Sequence, residues 1–247
     1  MNNEQLSPTL RVYPKDVSKR ALVVGDPNRV QDAAIFLENT REIGFFREYR
    51  TVTGEYKGKR ITISSHGVGS AGANMCFHEL FNCGVTNIIR AGTCGAMKKE
   101  IQDGELIIAS GAIREDGTSE RMAPMSFPAI ADRHVVQALE NAALEHGVSQ
   151  PHVGLALTQA YFYPGILPSG VDYWVDTKLA MAVEMEIATL LVMASLRGVR
   201  AGGILTSDGN MTREADPDAY DPHRDVVDLG KKNMLEIAIK ALCALPD

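Results

Sequence analysis

Long apolar runs are what this chain most plainly lacks. No stretch reaches the roughly 18 uninterrupted apolar residues that cross a bilayer, and the opening MNNEQLSPTLRVYPKD has no apolar centre of the kind that marks a secretory leader. A cytoplasmic protein with no membrane partner is the expectation. Basic excess is missing too: 25 Lys plus Arg stand against 31 Asp plus Glu, for a formal charge of −6. That balance argues against a nucleic-acid partner, whose binders carry a basic stripe. Any anion held here must be gripped by a few local cations. Paired cysteines are also absent, since Cys76, Cys83, Cys94 and Cys243 form no C-x-x-C and keep no partnered histidine spacing. Reduced, mostly buried thiols are therefore expected, with no disulfide framework and no metal site. The histidines, His66, His78, His134, His146, His152 and His223, show no H-E-x-x-H and read as surface or internally satisfied residues. No Gly/Ser linker, low-complexity tract, charge block or repeat divides the 247 residues. At about 150 residues per domain that length allows one large domain or two small ones, and a single domain over 1–247 is the reading.

What the chain does have is an alternation. Short apolar runs suited to buried strands lie at Ala21–Gly25, Arg60–Ser65, Thr86–Ala91, Glu105–Ser110, Val153–Thr158 and Ala201–Thr206. Helical patterns cover Asn28–Glu38, Ala71–Cys83, Asp132–His146, Glu186–Arg197 and Asp225–Leu245. Such alternation predicts an α/β fold with helices on both faces of a central sheet. Alternating residues from Arg47 to Ile63, on either side of Tyr56-Lys57-Gly58-Lys59, predict a β-hairpin. The sheet is thus expected to be mixed and partly closed on itself, barrel-like. In open α/β sheets ligands sit beyond the carboxyl ends of strands, so the residues following each apolar run are the candidates.

Five segments stand out there. Gly25-Asp26-Pro27-Asn28-Arg29 permits close backbone approach at the glycine and starts a helix at the proline, with Arg29 one turn in. This suits an anion site at a helix N-terminus, though the same residues also make an ordinary strand-to-helix turn. Gly67-Val68-Gly69-Ser70-Ala71-Gly72 is a formal G-x-G-x-x-G, yet the following strand ends without the acidic residue a dinucleotide ribose requires. Arg90, directly after an apolar run, needs a partner. Either its planar guanidinium holds a phosphate, with Thr93 adding a hydroxyl, or it pairs with a carboxylate of the sheet itself. Glu184 and Glu186 fall on one side of an extended segment and suit paired sugar hydroxyls, or else serve as N-terminal charges of the next helix. Asp208, at the end of an apolar strand and before a glycine, can hold a proton for a leaving group if burial raises its pKa, or can simply make a turn.

Together these segments resemble the nucleoside phosphorylase superfamily, which includes hexameric purine nucleoside phosphorylases and uridine phosphorylases. The resemblance spans nearly the whole chain. It rests on ordered matches at Gly25 to Arg29 (G-D-P-x-R), Arg47 to Tyr49 (R-E-Y), Ser65 to Gly69 (S-H-G-V-G), Arg90 to Gly95 (R-A-G-T-C-G) and Val183 to Glu186 (V-E-M-E). It implies the nucleoside phosphorylase fold and a reaction in which phosphate attacks C1′ as the bond to the base breaks. The products are free base and ribose 1-phosphate. It further implies that Gly25, Arg29, Arg90 and Thr93 bind phosphate, with Arg47 lent by a neighbouring subunit, and that Met185 and Glu186 hold the ribose. Cys94, Gly95, Phe162, Val183 and Glu184 would surround the base. The implied partners are nucleoside and phosphate, the implied assembly a hexamer built as a trimer of dimers, and no cofactor is called for beyond phosphate as substrate.

Asp208 matches the aspartate that purine enzymes of this superfamily use at the leaving base. Uridine phosphorylases read uracil with a Gln and an Arg after the aromatic segment, and Pro164-Gly165-Ile166-Leu167-Pro168 offers neither. The resemblance therefore implies a purine substrate such as inosine or guanosine. Uridine phosphorylase is the alternative, since Arg114-Glu115-Asp116-Gly117, Phe127-Pro128-Ala129 and Ala188-Thr189-Leu190-Leu191 match those enzymes as well. Two departures are visible, at Thr9 and Ala160, beside one near match at Arg224. Thr9 stands where the family commonly has a histidine for the ribose 5′-hydroxyl, Ala160 stands where relatives often have Asp, and Arg224 lies near the place of an arginine that assists the catalytic Asp. Further alternatives are a nucleosidase using water, which needs no arginine cage, an NAD-binding oxidoreductase, and a non-catalytic nucleoside-binding protein.

Overall fold

The structure is a computed structural model describing residues 4–163, 165–166, 170–212 and 220–246. Strand β1 (Arg20–Val24) is buried along its whole length and leads through Asp26 into α1 (Pro27–Ala34). The Asp26 carboxylate caps this helix by accepting from Asn28 N at 2.8 Å, and Pro27 takes the first turn, where no N–H is needed. Strands β2 (Glu38–Phe46), β3 (Tyr49–Tyr56) and β4 (Lys59–Ser65) form an antiparallel meander, and β4 returns parallel to β1. Helix α2 (Ser70–Asn82) and β5 (Asn87–Ala96) follow, then β6 (Leu106–Glu115), the short β7 (Ala129–Ile130) and α3 (Arg133–Glu145). The chain continues through β8 (His152–Gln159), α4 (Gly170–Thr177), β9 (Ala180–Glu184), α5 (Ile187–Arg197) and β10 (Arg200–Asn210) to α6 (Asp225–Ala244).

These strands make one sheet in the order β10-β6-β8-β9-β5-β1-β4-β3-β2, with β7 paired to β6 beside that path, and a further β10–β5 pairing closes five of them into a barrel. Parallel pairs (β1–β4, β1–β5, β5–β10, β6–β8, β8–β9) mix with antiparallel ones (β5–β9, β6–β10 and the meander). One core, with α2 and α5, holds Phe77, Leu80, Ile88, Leu190 and Leu191; a second, with α1, α3 and α6, holds Val30, Ile89, Leu139, Ile204 and Leu235; a small third holds Met97, Leu157, Val171 and Ala180. The mixed, partly barrel-like α/β sheet with helices on both faces is thus present. Among the described residues no helix is long and apolar enough to cross a membrane.

Several boundaries differ from the sequence reading. The helix predicted over Asn28–Glu38 stops at Ala34, and the next strand already begins at Glu38. That strand escaped notice because it lies at the sheet edge and is exposed along most of its length, so it has no apolar alternation to read. β5, β6 and β10 run five or so residues past their apolar cores. Their outer portions carry Thr93 and Arg114, which are polar although they remain in ladder register, and Asp208, where the β5–β10 register shifts. Helix α4 and strand β9 also went unpredicted.

Candidate functional site

Arg90 sits within β5 and is 4% exposed. Its guanidinium folds back over the next residue on the same face of the strand: a Cβ on Gly92 would lie 2.5 Å from Nη1 and 2.8 Å from Cζ. The glycine of R-A-G is therefore the space in which this cation lies. Nη2 pairs with Oε2 of Glu186, and Nη1 stands 3.2 Å from Oε2 of Glu184. Nε and Nη1 nonetheless make no hydrogen bond among the described residues. Buried donors left so are costly unless an acceptor reaches them, and an oxyanion supplies one. Arg29, in the first turn of α1, has no ion pair among the described residues and feels the fields of Asp26, Arg90 and Asp208. Burial, with Arg90 as a like charge, lowers its pKa. Two cations held close and incompletely neutralised, beside the glycine at the end of β1, have the chemistry to hold an anion.

The two carboxylates of V-E-M-E do different work. Glu184 closes the N-terminus of α5, its oxygens accepting from Glu186 N at 2.8 Å, from Ile187 N at 3.0 and 3.1 Å and from the Thr158 hydroxyl at 2.5 Å. Thr158 in turn accepts from Ala188 N at 2.9 Å. Burial raises the Glu184 pKa further than Arg90 pulls it down. Glu186 instead reaches away from the helix, taking Gly69 N at 2.6 Å on Oε1 and Arg90 on Oε2. Burial pushes its pKa up, but Arg90, His66 and the Gly69 N–H together carry it below the ordinary carboxylate value. Gly69 has φ +90°, and the Ser70 hydroxyl donates to Met185 O at 2.8 Å. The G-x-G-x-x-G loop is therefore the mount of the Met185-Glu186 segment.

His66, read from sequence as surface or satisfied, is neither. It is fully buried, with Nδ1 2.8 Å from Gly67 O, its ring edge-on to Phe77 at 5.4 Å, and Nε2 without a partner among the described residues. A carbonyl only accepts, so Nδ1 carries the proton. Burial, aided by Arg90 and Arg29 and opposed by Glu186, lowers its pKa to about 4.

Asp208 occupies the other end of the site. The β5–β10 register shifts between Ser207 and Gly209, so Asp208 is the extra residue of a bulge, the device that turns a side chain out of its ladder. It is 7% exposed, and burial raises its pKa against hydrogen bonds from Thr93 and Tyr220. The Thr93 hydroxyl thus holds the Asp208 carboxylate from β5. Buried Cys94 donates weakly to Thr206 O at 3.6 Å, and burial holds its thiol protonated. Gly95 faces Val183 and Met211, which a Cβ there would meet at 3.1 and 3.0 Å. Phe162 is exposed and lies 6.1 Å from the Tyr220 ring.

Sequence-predicted residues from α1, β5, β9 and β10 and from the connections beside them are thus brought together: Gly25, Arg29, Arg90, Thr93, Cys94, Gly95, Val183, Glu184, Met185, Glu186, Asp208 and Phe162. Arg47 does not join them. It stands exposed at φ +55° in the β2–β3 turn, stacked over Phe46 at 5.5 Å. Arg224 donates to Asp103 Oδ2 at 2.8 Å and to the backbone oxygen of Asp208 at 3.1 Å, so it braces the chain at Asp208 rather than its carboxylate. Thr9 N donates to both oxygens of Glu79, which clasps the N-terminal segment to α2. Nothing in the structure explains Ala160. Of the stretch that lacks the uracil-reading pair, Pro164, Leu167 and Pro168 lie outside the described residues. Sequence reasoning passed over Tyr220, Thr158 and His66, although His66 stands inside one of the matched motifs.

A profile of the family described as Phosphorylase superfamily matches residues 19–243. A protein of Plasmodium vivax (strain Salvador I) named "Purine nucleoside phosphorylase" is 38% identical over 226 residues, covering 91% of this chain and 90% of its own. One of Thermococcus kodakarensis (strain ATCC BAA-918 / JCM 12380 / KOD1) named "Uridine phosphorylase" is 40% identical over 200 residues, covering 76% of this chain and 72% of its own. The crystal structure of purine nucleoside phosphorylase from Toxoplasma gondii in complex with immucillin-H superposes with a TM-score of 0.92 at 36% identity, over 98% of this chain and 97% of that one.

Proposed function

Because this chain belongs to the Phosphorylase superfamily and is a nucleoside phosphorylase, we propose that its substrates are purine nucleosides such as inosine or guanosine. Arg29 and Arg90, with the Gly25 backbone, would hold phosphate below C1′, and Glu186 would accept from the ribose hydroxyls. As the C1′–N bond lengthens, positive charge grows on the sugar beside the phosphate, where it is stabilised most. Negative charge grows on the base, and Asp208 supplies the proton that neutralises it. Phosphate is the co-substrate, and the reaction calls on no cofactor. The reading also assigns Arg47 to a neighbouring subunit's phosphate, which needs at least a dimer and fits a hexamer; a cytoplasmic, purine-salvaging enzyme is the setting proposed.

The observation that carries the purine reading is Asp208: a bulge turns it out of the ladder, and burial favours its protonated form. A purine leaves most easily when protonated at N7, so an acid held ready is of use. Uridine phosphorylase remains the second reading because relatives of both names match at similar identity. Against it, the stretch Pro164-Gly165-Ile166-Leu167-Pro168 holds neither the Gln nor the Arg expected of a uracil reader. Asp208→Asn tests the assignment. Turnover of inosine should fall at least about a hundredfold, whereas a nucleoside methylated at N7, already cationic, should be cleaved nearly as fast as by the parent enzyme. Equal loss on both substrates would remove Asp208 from the proton role.

A further inference from the structure

Tyr220 lies outside every motif that carries the family match, yet it is built into the acid end of the site. Its hydroxyl hydrogen-bonds the Asp208 carboxylate, and its ring rests where a Cβ on Gly209 would meet Cε2 at 3.3 Å and Cδ2 at 3.4 Å. The same ring is tilted 49° to Phe162. Arg224 is engaged elsewhere, tied to Asp103, to the Asp221 oxygen at 2.8 Å and to the Asp208 backbone. The groups facing the acid are thus Thr93 and Cys94 from β5, Arg29 from α1, Lys231 from α6 and Tyr220 itself.

We propose that Tyr220 is a positioning residue for Asp208: its hydroxyl donates to the carboxylate and aims it at the leaving base, while its ring, with Phe162, walls the base slot. The proposal rests on Asp208 being the proton donor. In the forward step a phosphate oxygen bonds to C1′, the C1′–N electron pair stays with the base, and the Asp208 proton moves to the base nitrogen. Tyr220 keeps its own proton and stabilises the carboxylate that Asp208 becomes. Burial and the adjacent carboxylate push the Tyr220 hydroxyl above its ordinary range, so it remains a donor throughout. A donor to the anion is worth most once the proton has left, which is a gain in the transition state.

Tyr220→Phe removes the donor and keeps the ring at a half-exposed position where folding is not at risk. With phosphate saturating, kcat for inosine should fall about tenfold, the size of one hydrogen bond to a charge. KM for phosphate should stay within about twofold. Losing the donor raises the pKa of Asp208, so the alkaline limb of the kcat profile should move to higher pH. Tyr220→Leu should in addition raise KM for the nucleoside. A Phe variant whose kcat and alkaline limb both match the parent overturns the proposal, as does a fall in kcat with an unmoved limb. Asp208→Asn measured beside it separates the two ideas. If that variant keeps full turnover, the proton role fails and Tyr220 with it; if it is inactive and Tyr220→Phe is unaltered, only the Tyr220 assignment fails.

Discussion

Arg90 shows how one residue can meet one reading of a sequence and keep donors free for the other. A buried arginine after an apolar run was open to a phosphate role or to pairing with the sheet's own carboxylates, and it is paired with Glu184 and Glu186 while two of its nitrogens still lack a hydrogen bond among the described residues. What no spacing argument revealed is that Gly92 exists to make room for it. In Gly92→Ala the new methyl would collide with the guanidinium at 2.5 to 2.9 Å, so KM for phosphate should rise about tenfold or more with the fold retained. Steady-state kinetics at varied phosphate would check this, and an unchanged KM would separate Gly92 from the cation's placement. His66 was illegible for a related reason: burial is a property of the fold, not of the motif. Its pKa of about 4, against 6.5 unfolded, has a definite sign. Between those values the unfolded chain binds a proton that the folded chain refuses, so stability falls on acidification through that window and is recovered above it. From pH 7 to 5 this group alone contributes a loss of about 2 kcal/mol. Urea titrations of His66→Gln should show that much less acid sensitivity than the parent.

At the level of elements, strands and helices with apolar cores were readable, whereas the functional ends were not. β5 and β10 pass beyond their hydrophobic runs because the barrel's closing ladder continues there, carrying polar side chains that alternation cannot reveal. Asp208 was correctly found near a strand end, but the bulge that aims it depends on pairing with β5. The V-E-M-E pair was read as sugar-binding carboxylates or as helix N-terminal charges; Glu184 takes the second role, capping α5, and Glu186 turns away from the helix toward Arg90 and Gly69. Replacing Glu184 by Gln sets an amide against donors and leaves Arg90 with a single carboxylate. A loss of about 2 to 4 kcal/mol is expected, read as a lower urea midpoint. A midpoint equal to the parent's would show that α5 does not depend on this cap.

For the whole molecule, the closed barrel is what lets residues from Gly25 to Asp208 meet, and a chain of net charge −6 still gathers Arg29 and Arg90 at one spot. The family and the α/β architecture were legible because ordered motifs report on strand ends one after another. The assembly was not, because no single-chain contact records it. Arg47, exposed on its turn, gives a direct assay of a shared site. Arg47→Ala and Arg90→Ala should each be nearly inactive alone, yet mixed by denaturation and refolding they should regain activity, since a hybrid pair rebuilds one intact site. Absence of recovery would confine Arg47 to its own chain. The account as a whole stands most directly on initial rates with inosine and with uridine, each with and without inorganic phosphate. It predicts rapid release of hypoxanthine with one ribose 1-phosphate per base, only when phosphate is present, and far slower release of uracil. Base release that is equal without phosphate, or uridine cleaved faster than inosine, would contradict it.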